Sequence, residues 1–191
     1  MDKNGNLYLS EGYKLYISKN NGESWSLIAE KDDYGYFFIG ENDELVLADN
    51  YDKKAIISYD EGKNWEELLF DHGVDKYDFL YDVVVFNDYI YVIGSSSLWM
   101  SSDRGQNWIE NNEGLEHYGS GMELHDLIIL NGNLYLTGRS GIFRSTDLGN
   151  TWERFSEGIS EMTVGAGFKY CRDERLYVST VHGVYRSGVI S

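Results

Sequence analysis

One phrase, Ser-x-Asp/Asn-x-Gly-x-Ser/Thr/Asn-Trp, occurs four times in this chain. The copies run from Ser18 to Trp25, Ser58 to Trp65, Ser101 to Trp108 and Ser145 to Trp152. Their third positions, Asn20, Asp60, Asp103 and Asp147, are spaced by 40, 43 and 44 residues. Self-similarity at that period marks a repeat architecture, in which each repeat is one supersecondary unit stacked on the next. The phrase uses four of the five tryptophans, leaving only Trp99 outside it.

The fourth repeat shows what one unit contains. Met122 to Leu130 ends in an apolar run that predicts a buried strand, and Asn131-Gly132 after it is a hairpin signal. Asn133 to Thr137 and Ile142 to Ser145 predict two further strands, separated by the polar turn Gly138 to Gly141. The Asp-containing phrase makes the next turn, and Trp152 to Phe155 closes the unit. Four antiparallel strands in such a period make a propeller blade, so the expected fold is an all-β β-propeller of four-stranded antiparallel blades. The third repeat overlays the fourth at a constant offset, Asp82 to Phe86 on Asp126 to Leu130. The expected units are 1–30, 31–71, 72–115, 116–159 and 160–191 of one domain. The first starts at its second strand, Asn6 to Leu9, and the last stops before a fifth phrase. Five blades, two of them three-stranded, and a piece of a larger propeller both fit, and open sheet edges would carry an aggregation hazard.

The residue types of the phrase suit a turn. The Asp or Asn oxygen accepts backbone N–H groups ahead of it, and Gly takes a positive-φ position that a Cβ obstructs. The opening Ser and the residue before Trp add partners for backbone groups outside the ladder. Trp fills the gap between neighbouring sheets, its indole N–H left to find an acceptor. Four nearly equal copies suit structure better than a single active site.

The phrase resembles the Asp-box, or BNR, repeat. Asn20 stands where the usual residue is Asp, and Asn64 and Asn107 where it is Thr. The resemblance implies the propeller fold, which is shared by sialidases, xyloglucan-cleaving glycoside hydrolases, sortilin-type receptors and photosystem II assembly factors. The segments Gly141 to Asp147 and Ser156 to Ile159 look most like the xyloglucanase and assembly-factor branch. Sialidases resemble one another in a Phe/Tyr-Arg-Ile-Pro segment and an arginine triad. With no proline and no inward-facing arginine triad apparent, a complete sialidase is not expected here.

Charge narrows the partners. The chain carries 32 acidic against 16 basic residues, a net charge of −16 spread along its length. That field repels phosphate backbones and anionic lipid, so the expected partner is a carbohydrate or a protein, with no nucleic acid and no membrane insertion. Cys171 is the single cysteine, so no disulfide within the chain and no cysteine zinc site is expected. The four histidines show no ligand spacing, so neither metal nor cofactor is expected. Met1 to Asn6 lacks a basic-then-apolar leader, which reads as cytoplasmic as written and secreted if the N-terminus is truncated.

Propeller sites usually gather at the starts of innermost strands and the loops beside them. By the overlay those starts are Tyr81-Asp82 and His125-Asp126, with Tyr118 and Arg139 offered from adjoining loops. Phe70 to Gly73, the loop holding Tyr118, and His182 feed the same face. These residues form the candidate ligand site. Asp82 and Asp126 have two readings, as carboxylates that cap or bond neighbouring backbone and as the acid pair of a glycosidase. The preferred reading is a non-enzymatic module that binds a carbohydrate or protein through its loop face. A glycoside hydrolase is second and an assembly scaffold third.

Overall fold

In the computed structural model the described residues are 1–32, 34–40, 42–49, 54–68, 80–94, 96–115, 123–155, 168–171, 175–180 and 183–188. The regular structure among them is antiparallel sheet. Strands β1 (Leu7–Glu11), β2 (Lys14–Ser18) and β3 (Ser26–Glu30) form a three-stranded first sheet. The second sheet orders β4 (Tyr36–Ile39), β5 (Leu45–Asp49), β6 (Lys54–Ser58) and β7 (Glu66–Leu68) in sequence. The third contains β8 (Leu80–Phe86), β9 (Tyr89–Gly94), β10 (Leu98–Ser101) and β11 (Ile109–Glu110). The fourth contains β12 (Leu124–Leu130), β13 (Asn133–Gly138), β14 (Gly141–Ser145) and β15 (Glu153–Arg154). The last, again three-stranded, contains β16 (Phe168–Cys171), β17 (Arg175–Thr180) and β18 (Gly183–Arg186). These five meander sheets match the expected blades, including a short one at each end.

The chain divides into two compact units. One comprises Met1–Val74, Val83–Tyr91 and Ser101–Trp108, and the other Asp75–Asp82, Val92–Met100 and Ile109–Ser191. In the first, Leu15 and Ala29 pack with Leu45, Leu47 and Ile56, joining the first sheet to the second. In the second, Leu130, Tyr135 and Ile142 pack with Leu176 and Val178, joining the fourth sheet to the last. A sheet covered on both faces is apolar throughout its middle strands, which is why β13 is buried at five consecutive positions. Tyr91 of β9 and Tyr135 of β13, in equivalent places on two complete sheets, are both 0% exposed. Asn131 and Gly132 take φ of 52° and 77°, the two left-handed residues of a tight hairpin turn.

The repeated phrase is a closed hydrogen-bond motif. Its first serine is 1% exposed in every copy. The Oγ of Ser58, Ser101 and Ser145 accepts the amide of Gly62, Gly105 and Gly149 at 2.9, 2.8 and 2.8 Å. The same hydroxyls donate to Oδ1 of Asp60, Asp103 and Asp147 at 2.9, 2.8 and 2.7 Å. Each Oδ1 then accepts the amide four residues on, from Asn64, Asn107 and Thr151, at 2.8 to 2.9 Å. The other carboxylate oxygen takes a side-chain donor, Asn64 Nδ2, Asn107 Nδ2 or Thr151 Oγ1. In the first copy the last bond runs backwards: Asn20 Nδ2 donates to Ser24 Oγ at 2.9 Å. An amide at the third position therefore goes with a hydroxyl acceptor at the seventh.

The turn needs two successive left-handed residues, not one. Besides the glycines, Asn21, Glu61, Arg104 and Leu148 have φ of 56° to 60°. From residue type, positive φ is expected at the glycine alone. Closure of the serine ring imposes it on the preceding residue as well, whatever its identity. The turns also meet one another at the rim of the first unit. Lys19 Nζ lies 2.9 Å from Glu61 Oε2, and the Arg104 guanidinium sits 5.0 Å from the Tyr59 ring centroid. In both cases the second residue of one phrase meets the fourth of the next. Such exposed pairs contribute about 0–1 kcal/mol each.

The tryptophans differ in spite of their equivalent places. Trp108 and Trp152 are 8% and 5% exposed, Trp65 packs on the cluster of the first two sheets, and Trp25 is 39% exposed. Trp65 Nε1 donates to the Gly62 carbonyl at 3.0 Å, whereas the buried Trp152 Nε1 finds no acceptor among the described residues. Trp152 is held through its backbone: its N–H donates to Glu113 O at 2.9 Å. Gly114 lies against it so closely that an added Cβ would stand 1.9 Å from Trp152 O, at a φ of 86°.

Gly114→Ala combines left-handed strain with a backbone clash and should cost about 3 kcal/mol or more in a urea melt. Gly132→Ala, at similar φ but with nothing within 4 Å, should cost about 1 kcal/mol. Equal costs would show that the Gly114 contact is relieved by a backbone shift.

The hydrogen bonds from Asn64 and Asn107 hold the carboxyls of Asp60 and Asp103 at about 2, and those from Thr151 lower Asp147. Folded values below the unfolded one, roughly 3.9, stabilise the fold above about pH 4, and that contribution is lost as pH falls toward 2. Replacing both Asp60 and Asp103 with Asn should flatten the fall in melting temperature between about pH 4 and pH 2. An unchanged slope would place the acid sensitivity elsewhere.

Candidate functional site

The innermost strands β8 and β12 begin as the overlay of repeats requires, and both starts lie in the second unit. Asp82 Oδ2 accepts the Leu127 amide at 3.4 Å, a long bond that ties β8 to the neighbouring sheet. One residue earlier, the Tyr81 ring meets the His125 ring edge to face, with centroids 6.2 Å apart and planes at 61°. Tyr81 remains 47% exposed. The structure thus brings Tyr81, Asp82 and His125 together, and Asp126 follows His125 on the same strand.

A β-bulge aims this strand. Leu124 pairs with Gly138 and Asp126 with Thr137, so His125 is the extra residue. Glu123, just ahead of it, has a φ of 44°. Arg139 clamps the bulge twice: its N–H donates to Glu123 O at 3.1 Å, and its Nη1 lies 2.5 Å from Glu123 Oε1. Thr137 Oγ1 adds a 3.4 Å bond to Asp126 O. Arg139 is thus tied to the start of β12 through Glu123, a residue absent from the set expected from sequence. A bulge leaves no compositional trace, since one unpaired residue depends on the partner strand. Tyr118, the loop 70–73 and His182 lie outside the described residues.

The local electrostatics are acidic. The candidate residues include three carboxylates, Asp82, Glu123 and Asp126, and one guanidinium, Arg139, which is paired with Glu123. Burial pushes the His125 imidazole below its ordinary value, against the opposing pull of the Glu123 and Asp126 charges. The ring is thus neutral at pH 7, able to donate one hydrogen bond and accept another. Chemically, the arrangement offers an exposed phenol ring, a neutral imidazole and a carboxylate-rich border. The Asp82 oxygen is engaged by backbone, which suits a role in placing β8 against β12.

Comparison with known proteins gives the fold its context. The model of the BNR/Asp-box repeat matches residues 16–27, the first copy of the phrase. No curated protein matches the chain in sequence. Among solved structures, YCF48 bound to D1 peptide superposes with a TM-score of 0.69 at 15% identity, covering 98% of this chain and 62% of that one. YCF48 from Cyanidioschyzon merolae gives 0.68 at 14% identity, covering 100% of this chain and 66% of that one. The GH74 enzyme of Niastella koreensis gives 0.62 at 18% identity, covering 92% of this chain but 27% of that one. The chain therefore spans under two thirds of the YCF48 structures and about a quarter of the GH74 enzyme. It is a β-propeller built on Asp-box repeats, and these likenesses establish the fold alone.

For His125 the sign of the pH effect is set by its lowered folded value. Its contribution to stability is complete above an unfolded pKa of about 6.5 and is lost as pH falls through the folded one. An NMR titration of the His125 ring protons should give a midpoint below about 6.5. A midpoint above it would mean that Glu123 and Asp126 outweigh burial.

Proposed function

We propose that this Asp-box β-propeller is a non-catalytic recognition module that holds a polypeptide partner on the face formed by Tyr81, Asp82, His125, Asp126 and Arg139. The observation that carries this reading is Tyr81, 47% exposed yet held edge to face by His125. A ring kept rigid and left in solvent is a low-entropy anchor for a partner. The polar groups around it already serve one another: Asp82 with the Leu127 amide, Arg139 with Glu123. That favours a shape-reading aromatic contact over a dense set of hydrogen bonds to a reacting sugar. The likeness to a YCF48 structure solved with a D1 peptide, across 98% of this chain, is consistent with the same kind of partner.

A glycan is the second reading, because an exposed tyrosine ring also stacks on the apolar face of a sugar. Catalysis by Asp82 and Asp126 would require one carboxyl to act as a protonated acid across the substrate. The backbone bond to Asp82 speaks for a positioning role instead.

The purified chain should be panned against a random dodecapeptide display library and a glycan array, with each hit incubated and read by mass spectrometry. Saturable peptide binding without cleavage, weakened at least tenfold by Tyr81→Ala at an unchanged melting temperature, is the expected result. Glycan cleavage abolished by Asp82→Asn or Asp126→Asn would replace this reading with a glycoside hydrolase. Silence on both supports would overturn recognition through this face.

A further inference from the structure

Asparagine is followed by glycine three times in the chain, at Asn4-Gly5, Asn21-Gly22 and Asn131-Gly132. In such a pair the backbone nitrogen that follows asparagine reaches the side-chain amide carbon most readily, because glycine has no Cβ to shield that nitrogen or restrict its rotation. The three glycines share a positive φ, 82°, 91° and 77° in chain order, but their amides are held differently. Gly5 N–H donates to Asp2 O at 3.1 Å, inside a turn whose Asn4 and Asn6 amides are bonded to the Asp2 carboxylate. Gly22 N–H donates to Ser18 Oγ at 2.8 Å, as the equivalent glycine does in the other copies of the repeated phrase. Gly132 N–H meets no acceptor among the described residues, and Asn131 and Gly132 are both exposed.

The hairpin also accommodates the motion that brings the reacting atoms together. Asn131 and Gly132, both at positive φ, are the middle residues of a type I′ turn. Rotating the peptide between them converts type I′ to type II′, the other two-residue hairpin turn, and leaves the pair Leu130–Asn133 in place. In type II′ the ψ of the first middle residue is about −120°. At that angle the following nitrogen faces the side-chain carbonyl carbon, and a five-membered imide can close. A Cβ built on Gly132 finds nothing within 4 Å, so no packed neighbour at that residue opposes the rotation. At Gly5 and Gly22 the same rotation first has to break the hydrogen bond of the glycine amide, which requires local opening of the turn.

We propose that Asn131 is a site of spontaneous deamidation, singled out from the other two pairs by the fold. The Gly132 nitrogen attacks Asn131 Cγ: the N–Cγ bond forms, the Cγ–Nδ2 bond breaks, and the amide leaves as ammonia with the proton that the Gly132 nitrogen gives up. Water then opens the imide. Cleavage of the imide bond to Cγ gives aspartate, and cleavage of the bond to the Asn131 main-chain carbonyl carbon gives isoaspartate. Either product adds one negative charge to an already acidic chain. Aspartate preserves the hairpin, since Asp-Gly suits a type I′ turn as Asn-Gly does. Isoaspartate carries the main chain through Cγ, adding one carbon to a two-residue loop and straining the pair Leu130–Asn133 that closes β12 on β13. The reaction belongs to this turn and does not depend on the binding role proposed for the Tyr81 face.

The purified chain is incubated at mildly alkaline pH, folded and in concentrated urea, and all three pairs are followed in the same samples by peptide mapping with mass spectrometry. In the folded chain Asn131 should convert at least about tenfold faster than Asn4 or Asn21. Its peptide should contain isoaspartate as well as aspartate, resolved by their fragmentation. In urea, where no turn protects Gly5 or Gly22, the lead of Asn131 should disappear. No conversion at Asn131 in the folded chain, or rates equal to those of Asn4 and Asn21, would overturn the proposal. So would a lead that persists in urea, which would assign the difference to neighbouring sequence and not to the fold.

Discussion

A buried serine hydroxyl that accepts from a glycine amide and donates to a carboxylate holds each turn on which the blades depend. Ser58, Ser101 and Ser145 each make both bonds within a span of five residues. The donation orients the carboxylate so that its Oδ1 can also close the turn on the amide four residues on. The acceptance draws the chain through two left-handed residues, which the middle of the turn must supply whether or not both are glycine. Without that closure the last two strands of a blade would have no defined register, and the tryptophan that follows would have no fixed place.

Repetition also explains where specificity is found. The turns and sheet cores recur and therefore serve every blade alike, so distinct chemistry arises where the repeat is broken. One local irregularity is the bulge at His125, clamped by Arg139 on Glu123 and set beside Tyr81.

The acidity does not conflict with the fold, because part of it is structurally engaged. Asp60, Asp103 and Asp147 are stabilised in the charged form by amide and hydroxyl donors within their own turns. Asp2 does the same work at the N-terminal hairpin although it is buried. These carboxylates serve turn geometry first, and their contribution to the surface field follows from it.

Much of the architecture was legible in the residues alone. Four copies of one phrase, the Asn131-Gly132 hairpin and the apolar run ending at Leu130 set the strand order and the blade, because turns of this kind are closed by bonds among near neighbours. They also placed Asp82 and Asp126 at equivalent strand starts, since a constant offset carries register from one repeat to the next. The tertiary structure decided what depends on a second segment. Left-handed φ at Glu61, Arg104 and Leu148 follows from ring closure and not from residue type. The unpaired His125 follows from pairing with β13, and the bond between Glu123 and Arg139 crosses that hairpin. The exposure of Leu9 and Trp25, against the burial of Leu136 and Trp152, follows from what lies beside each strand. Local hydrogen bonds are written in adjacent residues; burial and register are properties of the neighbours that a residue finds only in the folded chain.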